Sequence, residues 1–443
     1  MNNQCTIQLF ADDAWHDVAS VLLVGPEEHG CLTQTYTGYA VDWVMAHQGA
    51  RDAWAVSSQF PVSLEAQASD HWPVALIDML PQGFGRGELL RQLNLPETLA
   101  ASADWRLLQA GAGNPIGHLR IKEAAAWLAG HAGPRQGFTD EEVAQRSDGF
   151  IDYLATHGLF VAGSSGVQGE WPKLLLTRAR DGLLYIDHTL ADSDAAEHFI
   201  VKFGRGPDAR LATILRHEAP YMRIAGHLGL RVHAPLRLRN QALFIPRFDR
   251  QVLEGRVLRL AQESLATLTG RAGFGVAPSH DEVCHTLAQV CSDPVGEILE
   301  YLRRDLANLA LGNRDNHARN TALQREFNGR LALAPVFDFA PMYLHPDAIS
   351  RRIRWEQNDG GAPDWDRVLD AVCAACQLPR APLVAGLKAM APRLRGIDNE
   401  GAAFGLVNGC ANPTESGDAK KAGMVFAVSE PGQGRAQPGE ANP

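Results

Sequence analysis

An aspartate and an asparagine five residues apart are the first residues whose types and spacing suggest chemistry. Asp315 and Asn320 lie in the segment GNRDNHARN, which follows a predicted helix and is expected to form a loop. In the kinase loop H-R-D-x-x-x-x-N, the catalytic aspartate and the metal-binding asparagine are also five residues apart. A carboxylate can orient a hydroxyl group and accept its proton, and an amide oxygen can hold Mg²⁺ without adding charge. The spacing favours phosphoryl transfer, and the alternative is a polar connection between a helix and a strand.

A second aspartate is expected at the same site. Asp338 follows the apolar segment LALAPVF and precedes a proline-containing loop, much like the aspartate of the kinase D-F-G motif. We predict that Asp338 ends a strand. Magnesium prefers carboxylate and phosphate oxygens, so Asp338 and Asn320 would complete a metal site. The alternative is an aspartate that only ends a strand, since FA follows it here instead of FG.

A lysine and a glutamate are candidates for holding phosphate groups. Lys202 stands near the end of the apolar strand HFIVKF, where a charge is costly unless it finds a partner. Kinases place the lysine of V-A-I-K in this way. Glu218 follows in the next predicted helix and could pair with Lys202. The alternative is an edge-strand lysine whose ammonium group reaches solvent.

Two glycine-rich stretches are candidates for phosphate binding. GSSGVQGEWPKLLL, residues 163–176, runs directly into a strand, and its small residues would let backbone N–H groups surround phosphates. It lacks the Walker A pattern, and an ordinary turn is the alternative. In GAGNPIG, residues 111–117, the last glycine is one position late for the dinucleotide pattern G-x-G-x-x-G.

The elements that must position these residues follow from periodicity and turn residues. Residues 1–120 indicate a small α+β unit, and 139–157 indicate a helix with Thr139 as N-cap and Glu142 three residues later. Residues 255–312 are predicted to be mainly helical. Further strands are predicted in KLLLTRA, LLYIDH, HFIVKFG and RVHAPLRLRNQALFIPRFDR, and further helices in ATILRHEAPYMRIAGHLG and in residues 363–396.

Composition excludes several classes of protein. The 41 Lys and Arg against 51 Asp and Glu give a net charge of −10, which argues against a general nucleic-acid coat but not against a local basic patch. No apolar run is long enough to span a membrane, and the acidic start does not resemble a signal peptide, so a cytoplasmic location is expected. The seven scattered cysteines fit free thiols, and Cys373-x-x-Cys376 is expected to pack on a helix because no further zinc ligands follow.

The combination of motifs resembles the HipA family, the serine/threonine-kinase toxins of bacterial toxin–antitoxin systems. The similar segments between residues 160 and 345 are SSGVQ, PKLLL, FIVKF, RFDR, GNRDNHARN and VFDFAP. FPVSLEAQ, DMLPQGFGRGELLRQL and GNPIGHLR are similar to the N-terminal domain of the family. Any one motif is unspecific, and the combination carries the resemblance.

The resemblance implies an α+β chain with a two-lobed, protein-kinase-like fold. A small N-terminal α/β subdomain would occupy residues 1–125, and an N-lobe-like part with the phosphate loop and the lysine strand would occupy 126–253. A mainly helical catalytic lobe would follow at 254–400. Residues 401–443, rich in Gly, Pro, Ala and Glu, are predicted to form a mostly disordered tail.

The resemblance also implies roles for individual residues. Asp315 would be the catalytic aspartate, Asn320 and Asp338 would bind Mg²⁺, and Lys202 would contact the phosphates of ATP. Asp249 is expected near the ribose or in a structural pair. The other residues implied at the ATP site are Ser165, Gly166, Val167, Gln168, Lys173, Pro246, Arg247, Phe248 and His317.

The glycine-rich stretch would be the family's phosphate loop, which carries a serine whose autophosphorylation shuts the kinase off. Ser165, or else its neighbour Ser164, matches that place. The sequence departs from the frequent SGVQPK form, because residues 169–171 (GEW) separate Gln168 from Pro172. A GGEQPK form found in some HipA-like proteins is closer.

Three functions are compatible with these observations. The first is an ATP- and Mg²⁺-dependent protein kinase that arrests growth, and the family's protein substrates are aminoacyl-tRNA synthetases. The second is a non-catalytic HipA-like binding module that joins a helix-turn-helix antitoxin and reaches operator DNA only through it. The complete set Lys202, Asp315, Asn320 and Asp338 argues against lost catalysis. The third is a small-molecule kinase, and no membrane partner is expected for any of them.

Overall fold

The computed structural model of the chain describes residues 3–96, 102–131, 133–156, 171–356, 361–404 and 406. The strands in these ranges are β1 (Gln4–Ala11), β2 (Ala14–Leu23), β3 (Thr35–Tyr39), β4 (Gln67–Ser69), β5 (Leu119–Ile121), β6 (Lys173–Ala179), β7 (Leu184–Ile186), β8 (Ala195–Phe203), β9 (Arg237–Arg239), β10 (Ala242–Pro246), β11 (Arg250–Leu253), β12 (Arg256–Arg259), β13 (Ala261–Ser264), β14 (Ala322–Arg325) and β15 (Leu331–Leu333).

The α-helices in the same ranges are α1 (Val41–His47), α2 (Val74–Ile77), α3 (Gly83–Gln92), α4 (Asp104–Gly111), α5 (Lys122–Gly130), α6 (Asp140–Gln145), α7 (Asp148–Thr156), α8 (Ala209–His227), α9 (Leu265–Leu268), α10 (His280–Val290), α11 (Pro294–Ala310), α12 (Trp365–Cys376) and α13 (Arg380–Glu400). None of these described helices is both long enough and apolar enough to cross a membrane.

The N-terminal unit is built on a five-stranded antiparallel sheet in the order β4-β3-β2-β1-β5. Asp12 and Asp13 both have positive φ in the turn between β1 and β2, as a two-residue hairpin turn of type I′ requires. Apolar side chains of the sheet and of α2 to α4 form one buried cluster, which includes Ile7, Trp72 and Trp105. The predicted small α+β unit is therefore present, and α5 continues across the boundary predicted at residue 125.

A second five-stranded antiparallel sheet has the order β7-β6-β8-β10-β9. Its apolar face packs on α6 and α7 through a cluster that includes Phe138 and Phe150. The predicted capping box at Thr139 and Glu142 is formed, but the single helix predicted for 139–157 is wrong. Arg146 takes a left-handed conformation with φ 51°, which ends α6 before α7 begins.

The third part combines the sheet β13-β14-β15 with helices α9 to α13 around the largest core cluster. The helical prediction for 255–312 is wrong at its start, because residues 256–264 form β12 and β13. Glu254 and Gly255 both have positive φ and make the tight turn between β11 and β12. Cys373 and Cys376 lie on α12 and pack against this core, as predicted.

Buried polar contacts join the N-terminal unit to the third part. Arg325 on β14 is fully buried and donates hydrogen bonds to the backbone carbonyls of Asp52, Ala55 and Val56. Its Nε lies 3.1 Å from Glu263 Oε2. A buried arginine is tolerated when its donors and charge are satisfied, and here the N-terminal backbone supplies those acceptors.

Candidate active site

The predicted site residues converge on one cavity of about 180 Å³ between the second sheet, the third part and the N-terminal unit. The sequence-predicted residues that line it are Lys173, Lys202, Glu218, Pro246, Arg247, Phe248, Asp249, Asn320 and Asp338. Asp315 lines a smaller adjoining cavity of about 40 Å³, which shares Asn320 and Asp338 with the first. Ser164, Ser165, Gly166, Val167 and Gln168 lie outside the described residues.

Lys202 is the centre of a buried ion cluster. It lies on β8, one residue before the strand ends, and Nζ is 2.7 Å from Glu218 Oε2 and 2.8 Å from Asp338 Oδ1. Glu218 is in the middle of α8, which packs along the sheet. Burial alone would lower the pKa of Lys202, but Asp338 and Glu218 outweigh it and raise that pKa above its ordinary value. Lys202 is therefore a permanent cation at the cavity wall.

Lys173 is a second cation at the same wall. It is the cross-strand neighbour of Lys202 in the β6–β8 register, and its Nζ lies 3.9 Å from Asp338 Oδ2. Like charges directly opposite each other in a sheet repel, and two carboxylates offset that repulsion here. Burial lowers the pKa of Lys173, and the charge of Lys202 adds to this against the opposing effect of Asp338.

Asp338 reaches the cluster from a loop and not from the end of a strand, so that prediction is wrong. β15 ends at Leu333, because Pro335 has no N–H to extend the ladder. Val336 instead donates to the carbonyl of Arg231, and Asp338 itself has φ 53°. Burial opposes ionisation of Asp338, but Lys202 and Lys173 hold the pKa of its carboxyl well below the usual range.

The segment from 312 to 321, which we call the catalytic loop, connects α11 to β14. Asn320 Nδ2 donates to the backbone carbonyl of Asp315 at 2.8 Å, so Oδ1 is the Asn320 side-chain atom left to accept a ligand. Asn320 N also donates to the carbonyl of His317. These bonds close the loop on itself and bring Asp315 and Asn320 to one side.

His317 is oriented toward Asp315. The backbone N–H of Arg319 donates to His317 Nδ1 at 3.2 Å, which places the proton of the neutral ring on Nε2. Nε2 lies 3.7 Å from Asp315 Oδ1. Burial lowers the pKa of His317 below its ordinary value, so the ring is neutral at pH 7.

The side chain of Arg247 is not available to phosphates. Its guanidinium is fully buried, donates two bonds to Asp249 at 2.9 and 2.7 Å, and lies 3.3 Å from Asp187. Asp249 also accepts the N–H of Gly117, whose φ of 86° suits glycine, and a bond from Arg250. Asp249 thus forms the expected structural pair, and it also lines the main cavity. Pro246, Arg247 and Phe248 line the cavity wall.

The oxygen atoms at this site suit Mg²⁺. A carboxylate (Asp338) and an amide oxygen (Asn320) line the same two cavities, and these are hard oxygen donors of the type that magnesium prefers. Lys202 and Lys173 balance the charge of Asp338 and Glu218, so the site is close to neutral before any phosphate or metal enters.

Comparison with known proteins identifies the family. The model of the HipA-like C-terminal domain matches residues 165–393, just over half of the chain. The chain belongs to the HipA-like family. The HipA of Shewanella oneidensis MR-1, solved in a toxin–antitoxin complex with HipB and operator DNA, has the same fold over 96% of both chains, with a TM-score of 0.64 and 19% identity. The α+β, two-lobed fold with an N-terminal subdomain is therefore confirmed.

Two other known proteins match parts of this chain, one in sequence and one in a structural alignment. The curated protein named "Putative kinase Y4mE" of Sinorhizobium fredii is 28% identical over 210 residues, which is 44% of this chain. The chain thus matches about half (48%) of the length of that relative. The Helicobacter pylori proinflammatory kinase CtkA aligns with 53% of this chain and 90% of its own length, at 15% identity and a TM-score of 0.36.

Sequence reasoning missed two contributors to the HipA-like site. Trp171 was treated only as part of an insertion, yet its ring lies 5.4 Å from Lys202 Nζ and packs on α8. Asp78 was noted only within the motif DMLPQG, yet it lines the main cavity. An acid inside the apolar run WPVALIDMLP was the available signal for Asp78.

Proposed function

We propose that the chain is an ATP- and Mg²⁺-dependent protein kinase that transfers the γ-phosphate to a serine or threonine hydroxyl. The observation that carries this proposal is the convergence of Lys202, Glu218, Asp338, Asn320 and Asp315 from four separate parts of the chain on two adjoining cavities. The family match and the curated relative named as a kinase support it.

In this proposal each residue has a role that its position allows. The adenine lies against the backbone of Pro246 to Phe248, where Pro246 can offer only its carbonyl because it has no N–H. Lys202 and Lys173 neutralise phosphate charge, and Glu218 keeps Lys202 in place. Such fixed charges stabilise phosphoryl transfer without reorganisation.

Asp315 orients the attacking hydroxyl and accepts its proton. A bond forms between the hydroxyl oxygen and the γ-phosphorus, the bond from that phosphorus to the β–γ bridging oxygen breaks, and ADP leaves. His317 Nε2 lies beside that carboxylate, 3.7 Å from Asp315 Oδ1, without a direct hydrogen bond. Mg²⁺ held by Asp338 and Asn320 would neutralise negative charge on the phosphates.

The family resemblance extends the proposal to substrate and control. We propose an aminoacyl-tRNA synthetase as the substrate class, growth arrest as the consequence, and Ser165 or Ser164 as the site of inactivating autophosphorylation. Expression of the wild-type chain should arrest growth, and Asp315→Ala should relieve it. Arrest by both forms would point to a binding role, and transfer of phosphate to a metabolite but to no protein would favour a small-molecule kinase.

A helix-turn-helix antitoxin is the second proposed partner. The observation behind it is that the solved HipA with this fold is in complex with HipB and operator DNA. The net charge of −10 argues against general DNA binding by the chain itself, so in this proposal the antitoxin makes the DNA contacts. Co-purification with the product of a neighbouring helix-turn-helix gene, and operator binding by the pair but not by this chain alone, would support the proposal. Operator binding by the chain alone would contradict it.

The chemistry is tested by incubating the purified chain with Mg·ATP and following phosphate by intact-mass and peptide mass spectrometry. The proposal expects ATP binding that requires Lys202, and phosphate on the chain or on added protein that requires Asp315. Bound ATP without transfer to any protein in cell extract would favour a non-catalytic binding module.

A further inference from the structure

Asp78 belongs to the N-terminal unit but makes its contacts in the third part. It directly follows α2, and its carboxylate accepts four hydrogen bonds from three residues of that part. Asp78 Oδ1 accepts from Ser264 Oγ at 2.8 Å and from Arg319 Nε at 3.2 Å. Asp78 Oδ2 accepts from Thr267 Oγ1 at 2.6 Å and from the backbone N–H of Ser264 at 3.2 Å.

Arg319 connects this carboxylate to the catalytic loop. It is the residue before Asn320, and its side chain is only 8% exposed. The backbone N–H of Arg319 also orients His317. The side chain of Arg319 thus fixes the part of the loop that carries both the proposed metal-binding amide and the histidine beside Asp315.

Ser264 and Thr267 provide a second connection to the same loop. Ser264 is the N-cap of α9. The first two residues of that helix, Leu265 and Ala266, donate backbone hydrogen bonds to the carbonyls of Thr321 and Ala318. Asp78 therefore holds the start of α9, and the start of α9 holds the catalytic loop on both sides of Asn320.

We infer that Asp78 is a positioning residue for the catalytic loop. Through Asp78, the N-terminal unit would help to hold the phosphoryl-transfer site in its active geometry. Hydrogen bonds to a charged group are stronger than neutral ones, and small displacements of reacting groups reduce rates strongly. The inference about catalysis depends on the proposed kinase function, but the inference about loop order can be tested without activity.

The test compares Asp78→Asn with Asp104→Asn in the full chain. Asp104 is a matched control, because it is a buried N-terminal carboxylate that pairs with Arg86 at 2.6 Å and accepts the N–H of Cys31, both inside the N-terminal unit. Hydrogen–deuterium exchange of residues 312–321 is the first measurement. In Asp78→Asn, we expect residues 312–321 to exchange about ten-fold faster than in the wild type. In Asp104→Asn, the same residues should exchange at the wild-type rate.

Arg319→Gln approaches the same contact from the loop side, which keeps the test decisive if Asp78→Asn folds poorly. We expect the same loop to exchange faster, and the effect of the double variant to be smaller than the sum of the two single effects, because both changes remove the Asp78–Arg319 contact. Unchanged loop exchange in both single variants, or equal acceleration in Asp104→Asn, would overturn the inference.

Kinetics provide the second measurement. Asp78→Asn should lower kcat for Mg·ATP turnover about ten-fold, with little change in KM for ATP, since Lys202 and Lys173 are not touched. A change in KM alone would contradict a role in positioning the loop. Absence of ATP turnover in the wild-type chain would count against the proposed function and leave the exchange result to decide the role of Asp78.

Discussion

The two sides of the active-site cavity are built on different principles. On the sheet side, the side chains of Lys202 and Glu218 are 4% and 1% exposed and form an ion pair. On the side of the catalytic loop, the side chains of Asp315 and His317 are 27% and 33% exposed. The sheet side is a buried set of charges, and the loop side is partly open to solvent. Under the proposed function, the sheet side would contact the phosphates and the loop side would contact the substrate hydroxyl group.

This difference determines what each residue contributes to stability. Removing one member of a buried charge pair leaves the other uncompensated, which is strongly destabilising. Asp315 is held mainly through the backbone of its loop, so its carboxylate can be removed at little cost to the fold. Substitutions on the sheet side should therefore reduce both stability and ATP binding. Substitutions on the loop side should reduce phosphate transfer and leave stability close to that of the wild type.

The largest effect on rate is expected from Asp315→Ala, which tests the loop side. Transfer from Mg·ATP should fall by about three orders of magnitude, because the group that orients the hydroxyl and accepts its proton is gone. The Tm and the Kd for ATP should remain close to wild type. Asp347→Ala, at a side chain that is 81% exposed, is the control and should retain full transfer.

The largest effect on stability is expected from Lys202→Met, which tests the sheet side. Glu218 would stay buried without its cation, so the free energy of unfolding should drop by about 3 kcal/mol, and ATP binding should be lost. Urea denaturation measures the first effect and calorimetry the second.

The double variant Lys202→Met/Glu218→Met is the matched control for that experiment. It removes both charges and should recover much of the stability without recovering ATP binding. A double variant as unstable as Lys202→Met would mean that the pair does not account for the loss.

The pH dependence of ATP binding separates the two lysines. Burial lowers the pKa of Lys173 below the ordinary value of about 10.4, so its ammonium loses the proton before that of Lys202 as the pH rises. The affinity for ATP should therefore fall as the pH rises from 7 toward the ordinary lysine pKa of about 10.4. Calorimetry across this pH range tests this, and Lys173→Met should bind more weakly but without this slope. An equal slope in Lys173→Met would assign the titration to another group.

The smallest effect is expected from Trp171→Leu. This change keeps an apolar side chain against α8 but removes the ring beside Lys202. Because the Lys202 ammonium group is already paired with Glu218 and Asp338, we assign the ring the lower end of the cation–π range, about 0.5–1 kcal/mol. The affinity for ATP should then weaken by about three-fold. Trp171→Phe keeps a ring and should lie between wild type and Trp171→Leu. Wild-type affinity in Trp171→Leu would show that the ring only fills space.

Much of the site could be predicted because its residues lie in local patterns. Lys202 sits in an apolar strand, Glu218 in the helix that follows, and Asp315 and Asn320 in one short loop. Asp338 and the strand before it were both predicted, but the strand ends earlier than predicted. β15 stops at Leu333, because Pro335 has no N–H to continue the ladder toward Asp338. The sequence shows the spacing of residues within each segment. It does not show which segments contact each other in the folded chain.

The contribution of the N-terminal unit could not be predicted in the same way. Asp78 and Arg319 are 241 residues apart in the chain, and neither has a spacing that indicates the other. Arg247 was assigned to the nucleotide because of its motif, and only the fold shows that Asp249 and Asp187 occupy its guanidinium. Long-range polar pairing depends on how the three parts pack, which one sequence does not show.

The proposed kinase activity is tested most directly by a paired measurement on the wild-type chain and Asp315→Ala, with Mg·ATP labelled in the γ-phosphate and cell extract added. Bound nucleotide and transferred label are measured on the same samples. We expect both proteins to bind ATP equally and only the wild type to transfer label to protein. Failure of the wild type to bind ATP, or full transfer by Asp315→Ala, would contradict the proposed activity.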